Sequence, residues 1–360
     1  MLPKFLHRRF LHRLSSASLL TLMLSTTAVG ANAAPPLPAL AASDQMLTVS
    51  GISSGGYMAV QFQVAYAQLV RGAGIIAGGP YFCAENSVSR ALSNCMTPTA
   101  KDAPPDAETT LKIVEKLAAA GKIDSPKSLS DDRVWLLSGG QDKTVTPPVM
   151  DALASFYQRL LPADAIRYVK LPEAAHTLPS VTDTTPNACA ISEPPYISRC
   201  QDFDAAGQLL SHLLGTLKPA TSAADGEIIS FDQRPFIKGG ALDASLADEG
   251  YAFIPKTCHA GGCQVHVAFH GCRQNVGEIG QRFVEGAGYN RWAASNRLII
   301  LYPQTTSRSG LAFGSTKWVL NPKACWDWWG YTGDNYPTRD GIQLQAVRGM
   351  INALTQPLKR

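Results

Sequence analysis

The sequence predicts an α/β fold with a mostly parallel sheet, held in one domain and stapled by disulfides. Three observations predict it. Strand-like and helix-like segments alternate along most of the chain, a glycine-flanked serine pair sits where one strand pattern turns into a helix pattern, and eight cysteines fall in the part expected to be exported.

The start, "MLPKFLHRRFLHRLSSASLLTLMLSTTAVGANAAPP", has the layout of a secretory signal: cations up to Arg13, an apolar run over Ala17 to Val29, then "ANA". That apolar run is well short of the ~20 residues a spanning helix needs, so no membrane anchor is expected. Cleavage after Ala33 defines residues 1–33 as the signal, 34–45 as a Pro/Ala-rich extended lead-in and 46–360 as one catalytic domain. The formal charge of +4 resides in Lys4, Arg8, Arg9 and Arg13 of the signal, so the mature chain is close to neutral. It carries no basic run, which removes the electrostatic case for a nucleic-acid partner.

After the lead-in, "MLTVSGISSGG" is a strand running into glycines and "YMAVQFQVAYAQLV" has apolar residues at helical spacing. "GAGIIAGGPYF" reads as a buried strand, and "ETTLKIVEKLAAAGKI" as a helix stopped by Gly121. "RVWLLSGGQDKTVTPP" is a strand and loop, "VMDALASFYQRLLP" a helix, "AIRYVKLPEAAHTLPS" a strand and loop, and "FDAAGQLLSHLLGTL" a helix. The pattern breaks near residue 220, where we expect a mobile crossover. It resumes with "GYAFIPKTCHAGGCQVHVAFHGC" as a hairpin feeding a hydrophobic strand, a helix at "GAGYNRWAASN", a buried strand at "RLIILYPQ" and a last helix at "GIQLQAVRGMINAL".

In an exported chain an even cysteine count favours disulfides over metal. Short loops suggest Cys83 with Cys95, Cys189 with Cys200 and Cys258 with Cys263, which leaves Cys272 with Cys325; sequence cannot fix the pattern. No paired C-x-x-C sites occur, and no metal is expected.

Gly51, Ser53 and Gly55 fit Gly-x-Ser-x-Gly, the nucleophile elbow of α/β-hydrolases, in which small flanking residues let a serine occupy a strained strand-to-helix turn. The pattern is weak alone; its place between a strand and a helix strengthens it. Ser53 is then the nucleophile, and the N–H of Ser54 faces the developing oxyanion. A base and an orienting acid are required. Of the five mature histidines, His212 lies in an amphipathic helix, His266 within a strand and His259 in a small Cys-bounded loop. His176 follows a strand, as Asp142 does, and Ser53, Asp142, His176 is the expected chain order. About 17 residues between Ala33 and Gly51 leave no room for the strand that brings the second oxyanion donor. "CQVHVAFHGCRQN" offers such a strand downstream, ending in His270, Gly271 and Cys272, so the fold is expected to be circularly permuted.

The blocks "GISSGGYMAVQFQVAYA", "SGGQDKTVTP", "AAHTLPS", "HGCRQN" and "CWDWWGYTG" together resemble the secreted poly(3-hydroxybutyrate) depolymerases, in particular their circularly permuted type. The resemblance runs from about residue 46 to 352. It implies a single-domain serine esterase with Ser53, Asp142 and His176 as triad, the N–H groups of Ser54 and Cys272 as oxyanion donors, and no cofactor. It also implies that a Cys272 to Cys325 disulfide holds the oxyanion turn against the Trp-rich segment. The chain ends soon after its last helix, whereas many bacterial members continue into a linker and a polymer-binding domain; attachment through the catalytic domain and action on amorphous polymer or oligomers are expected instead. Trp326, Trp328 and Trp329 are candidate substrate contacts, since an aromatic crevice suits a methyl-branched polyester, while Trp135 and Trp292 are expected in the core. The alternatives are a feruloyl or acetyl-xylan esterase on the same scaffold and a non-catalytic polymer-binding protein. A secreted monomer is expected, with the periplasm as the other compartment.

Overall fold

The computed structural model describes residues 33–358 apart from 223, 240, 313–315 and 317. Residues 1–32 of the expected export signal lie outside the described residues. From Ala34 onward the chain forms one compact unit. Its centre is an eight-stranded sheet of β1 (Ser43–Ile52), β2 (Val70–Ile76), β3 (Arg133–Gly139), β4 (Ile166–Leu171), β5 (Gly226–Asp232), β6 (Glu249–Pro255), β7 (Gln264–Phe269) and β8 (Leu298–Tyr302). The spatial order is β4-β3-β2-β1-β7-β8-β6-β5. The run from β4 to β8 is parallel, and β6 and β5 join antiparallel.

That order carries the permutation. Counted from β5 and continued into the N-terminal strands, the sheet is sequential except that β8 and β7 exchange places. The protein is a circularly permuted α/β-hydrolase whose chain starts in mid-sheet.

Helices cover both faces. α1 (Ser54–Ala65), α2 (Ala107–Ala119), α3 (Pro147–Tyr157) and the terminal α4 (Ile342–Thr355) pack on one side. α5 (Ala205–Leu214) and α6 (Tyr289–Asn296) pack on the other. Burial of both faces explains why the central strands read as continuous apolar runs rather than alternating ones. Among the described residues the cysteines pair as Cys83–Cys95, Cys189–Cys200, Cys258–Cys263 and Cys272–Cys325.

Two expectations are corrected, the hairpin before β7 and the burial of Trp292. The stretch before β7 is not a hairpin with it: β8 lies between β6 and β7, and the hairpin partner of β6 is the preceding β5. Both edges of β7 are taken by parallel neighbours, β1 and β8. In the lead-in, residues 34–42 form no helix or strand, Leu37 and Leu40 are buried, Leu40 N and Ala42 N donate to Leu354 O of α4 at 3.1 and 3.0 Å, and β1 begins at Ser43. Near residue 220, Lys218 N donates to Asn296 Oδ1 at 2.8 Å and Thr221 N to Arg291 O at 3.2 Å. Trp292 is only half-buried and donates Nε1 to Asp204 Oδ2 at 2.8 Å, whereas Trp135 is in the core.

Candidate active site

Three strand ends converge on one cavity. β1 delivers Ser53, which turns directly into α1 with φ 58° and ψ −124° and anchors its N–H on Ile76 O at 2.9 Å. A non-glycine residue at positive φ costs about 1–3 kcal/mol and persists only where its surroundings enforce it. Here they do. A Cβ on Gly51 would sit 2.2 Å from Gly55 O, and one on Gly55 would sit 2.3 Å from Phe269 O, so only glycine fits on either side of the turn. All twelve residues of α1 are buried, which holds the turn from behind.

β3 delivers Asp142 and β4 delivers His176, on the loops that follow each strand. Asp142 Oδ1 accepts from the backbone N–H groups of Thr144 at 2.7 Å and Val145 at 2.9 Å, while Oδ2 accepts from His176 Nδ1 at 2.7 Å. Both side chains are buried. With Nδ1 donating to the carboxylate, Nε2 is the ring nitrogen left to take up a proton, and the ring borders the same cavity as Ser53. His176 N also donates to Ser192 Oγ at 2.9 Å, which fixes the loop.

The opposite wall comes from the turn after β7. His270 Nδ1 donates to Gly271 O at 2.7 Å and its Nε2 accepts from Thr305 N at 3.2 Å, so the ring is neutral. Burial pushes its pKa down to about 4, against a smaller upward pull from Gly271 O. Gln274 Oε1 accepts from Gly271 N at 2.6 Å while its Nε2 donates to Pro195 O at 2.8 Å. Cys272 borders the cavity and is bonded to Cys325; Ser54 is buried at the head of α1, where its Oγ accepts from Trp326 N at 3.3 Å. As the first residue of a helix, Ser54 has an N–H with no intrahelical acceptor.

The Trp-rich segment has no regular structure; a buried carboxylate shapes it. Asp327 accepts from the N–H groups of Trp329, Gly330, Tyr331 and Thr332 and from Thr332 Oγ1 at 2.6–3.2 Å. Its pKa is raised, because burial outweighs those bonds. The result separates the three tryptophans. Trp328 stacks on Tyr57 with ring centroids 4.3 Å apart, Trp329 meets Trp328 edge-on at 5.5 Å, and both border the cavity. Trp326 does not reach it: the ring is fully buried, edge-on to Phe269 at 5.0 Å, behind the β7 turn. The structure therefore brings Ser53, Asp142, His176, Cys272, Trp328 and Trp329 together and leaves Trp326 as support.

The cavity, about 380 Å3, is walled mainly by apolar side chains. Val88, Leu92, Met96, Tyr57 and Tyr196 belong to it and were not read from the sequence. Tyr57 alone had a signal, since it lies one helical turn beyond Ser53. The three histidines set aside have structural partners: His212 Nε2 on Ala165 O at 2.9 Å, His259 on Glu227 at 3.2 Å, and His266 between Thr48 and Ser50 at 2.8 and 2.7 Å.

No family model matches the chain. It is 41% identical over 330 residues to a poly(3-hydroxybutyrate) depolymerase of Delftia acidovorans, covering 90% of this chain and 62% of that protein. It is 34% identical over 336 residues to a polyhydroxybutyrate depolymerase of Talaromyces funiculosus, covering 89% and 93%. The chain belongs to the poly(3-hydroxybutyrate) depolymerase family. Two solved structures of such depolymerases match its fold with a TM-score of 0.80, 33% identity, and coverage of 90% of this chain and 100% of theirs. One is the enzyme from Penicillium funiculosum, the other a serine-to-alanine depolymerase variant complexed with an R3HB trimer. The depolymerase match spans less than two thirds of the Delftia relative and nearly all of the Talaromyces one.

Proposed function

We propose that the protein is a secreted serine esterase that hydrolyses the ester bonds of poly(3-hydroxybutyrate) or its oligomers. The observation that carries this reading is the strained Ser53 and the Asp142–His176 pair opening onto one apolar, aromatic-walled cavity. His176 takes the Ser53 proton as the hydroxyl attacks the ester carbonyl, and Asp142 keeps the imidazole in the tautomer whose Nε2 can accept. The N–H groups of Ser54 and Cys272 bind the oxyanion, where such preorganised donors are worth more than in water. The intermediate collapses, the alcohol end of the chain leaves with the proton from His176, and water activated by the same ring releases the acyl group as a carboxylate.

A polymer of methyl-branched repeats offers little to hydrogen-bond and much to cover. Trp328, Trp329 and Tyr57 suit it, and Trp326 acts by packing beneath the Cys272 turn. Four disulfides suit an oxidising compartment, and among the described residues no helix is long and apolar enough to cross a membrane. The enzyme acts as a monomer, with substrate bound by the catalytic domain itself.

The test is clearing of an amorphous poly(3-hydroxybutyrate) suspension by wild type beside Ser53→Ala, with released acids identified. Wild type clears it and the variant loses roughly 10³–10⁶ in kcat. Hydrolysis of short soluble esters without clearing would leave the esterase and remove the polymer.

A further inference from the structure

We infer that Arg273 and Lys323 form a carboxylate site at one rim of the cleft, which takes the free acid end of a hydroxybutyrate oligomer or the released hydroxyacid. The inference rests on the functional reading above and deepens it.

Among the described residues no Asp or Glu borders the cavity, yet two cations do. Both are exposed, and none of the ion pairs among the described residues involves either. Separate chain segments supply them, but the backbones touch: Arg273 N donates to Lys323 O at 2.8 Å. The Cys272–Cys325 disulfide, with Cα atoms 4.2 Å apart, locks the same two segments together. Both charges therefore stand on the oxyanion-turn side of the cleft. Arg273 also has φ 60°, a conformation that glycine adopts at no steric cost, and the chain holds a long cation there instead.

A neutral polyester gives two cations nothing to pair with. The anion this reaction does contain is a carboxylate. Each hydrolysis breaks one acyl–oxygen bond, adds water, and leaves a new carboxylate on one fragment and a hydroxyl on the other. In an oligomer acid the carboxylate lies on the alcohol side of the bond to be cut, so holding it at the rim favours ester bonds near the acid end. A guanidinium can meet the carboxylate with two parallel N–H donors while the ammonium adds a point charge. Long oligomers capped as esters lack this handle.

The test compares binding of the 3-hydroxybutyrate trimer as free acid and as methyl ester, by calorimetry on Ser53→Ala protein near neutral pH. The acid is expected to bind roughly two- to fivefold more tightly, the range for exposed cation–carboxylate pairs. That preference is expected to vanish in Arg273→Gln/Lys323→Gln, to survive Arg273→Lys, and to shrink with added salt. Equal binding of acid and ester by the parent, or a preference that survives neutralisation, overturns the carboxylate site and leaves the esterase standing. If neither trimer binds, the functional reading falls and this inference falls with it.

Discussion

The two walls of the cleft are built on different principles. Ser53, Asp142 and His176 project from the ends of parallel strands, where adjacent strands of one sheet set their spacing. The facing wall joins the turn at the end of β7 to the Trp-rich segment, which has no periodic structure of its own. It is held by single side chains: His270 and Gln274 on Gly271, Asp327 on four successive amides, and the Cys272–Cys325 bond. Strand ends are rigid through many shared contacts, so loss of one side chain there removes chemistry and leaves the frame. On the other wall a side chain is the frame.

The largest effect expected from that difference is on the strand-end wall. Asp142→Asn keeps an oxygen for the Thr144 and Val145 amides but favours the wrong tautomer of His176, so kcat should fall by roughly 10³–10⁴. Unfolding should barely change. A variant that loses stability in step with activity would show that Asp142 is part of the frame after all. On the other wall the coupling is expected to reverse. Cys272→Ser/Cys325→Ser opens a loop of sequence separation 53, which should cost roughly 4 kcal/mol in denaturant unfolding and lower kcat as well. Cys258→Ser/Cys263→Ser, with a separation of 5 between β6 and β7, should cost roughly 2 kcal/mol and leave kcat alone. Equal kinetic effects from the two pairs would erase the distinction between the walls.

The same difference explains what the sequence revealed. Each strand-end residue carried a local signal: small residues around Ser53, a buried strand before Asp142, a strand and loop around His176. The order of those signals along the chain, and the lack of room before Gly51, also exposed the permuted start. The hairpin expected to feed β7 failed because β7 pairs instead with β1 and β8, both far from it in the chain, and short-range patterns say nothing about such pairing. The tryptophans were legible as a cluster but not as individuals. Only the turn wound around Asp327 sends Trp328 and Trp329 to the cavity while Trp326 packs behind, and a non-periodic segment has no repeat from which to read that.

Acid should strain both walls together. His266, beside β1, is pushed down to about 3 by burial, and His270, in the opposite turn, to about 4. Each ring is neutral when folded, whereas the unfolded chain binds a proton below its ordinary value near 6.5. Stability is therefore fully present above that value and is lost as pH falls toward the folded values, by roughly 2 kcal/mol per ring at pH 5. Denaturant midpoints measured from pH 7.5 to 4.5 should drop steadily below pH 6.5. His266→Gln should flatten the slope without touching the oxyanion turn. A slope unchanged by that variant would mean that His266 carries no share of the acid response.

Gln274 offers the finest separation of frame from chemistry. It bridges the two walls: Oε1 holds Gly271 N in the oxyanion turn, and Nε2 holds Pro195 O next to Tyr196, whose ring lies edge-on to His176 with centroids 6.2 Å apart. Removing it leaves Gly271 N–H buried and unpaired at the residue before Cys272, a cost of about 1–3 kcal/mol. If the turn relaxes to find another acceptor, the Cys272 N–H, the proposed second oxyanion donor, loses its aim, and such a donor acts in the transition state rather than on bound ester. Gln274→Ala should then lower kcat by roughly tenfold with KM nearly unchanged, and Gln274→Glu, which keeps the acceptor but not the donor to Pro195, should recover most of it. A rise in KM at constant kcat would assign Gln274 to the shape of the cleft and not to the oxyanion turn, and the second wall would then be a binding surface that happens to carry a catalytic amide.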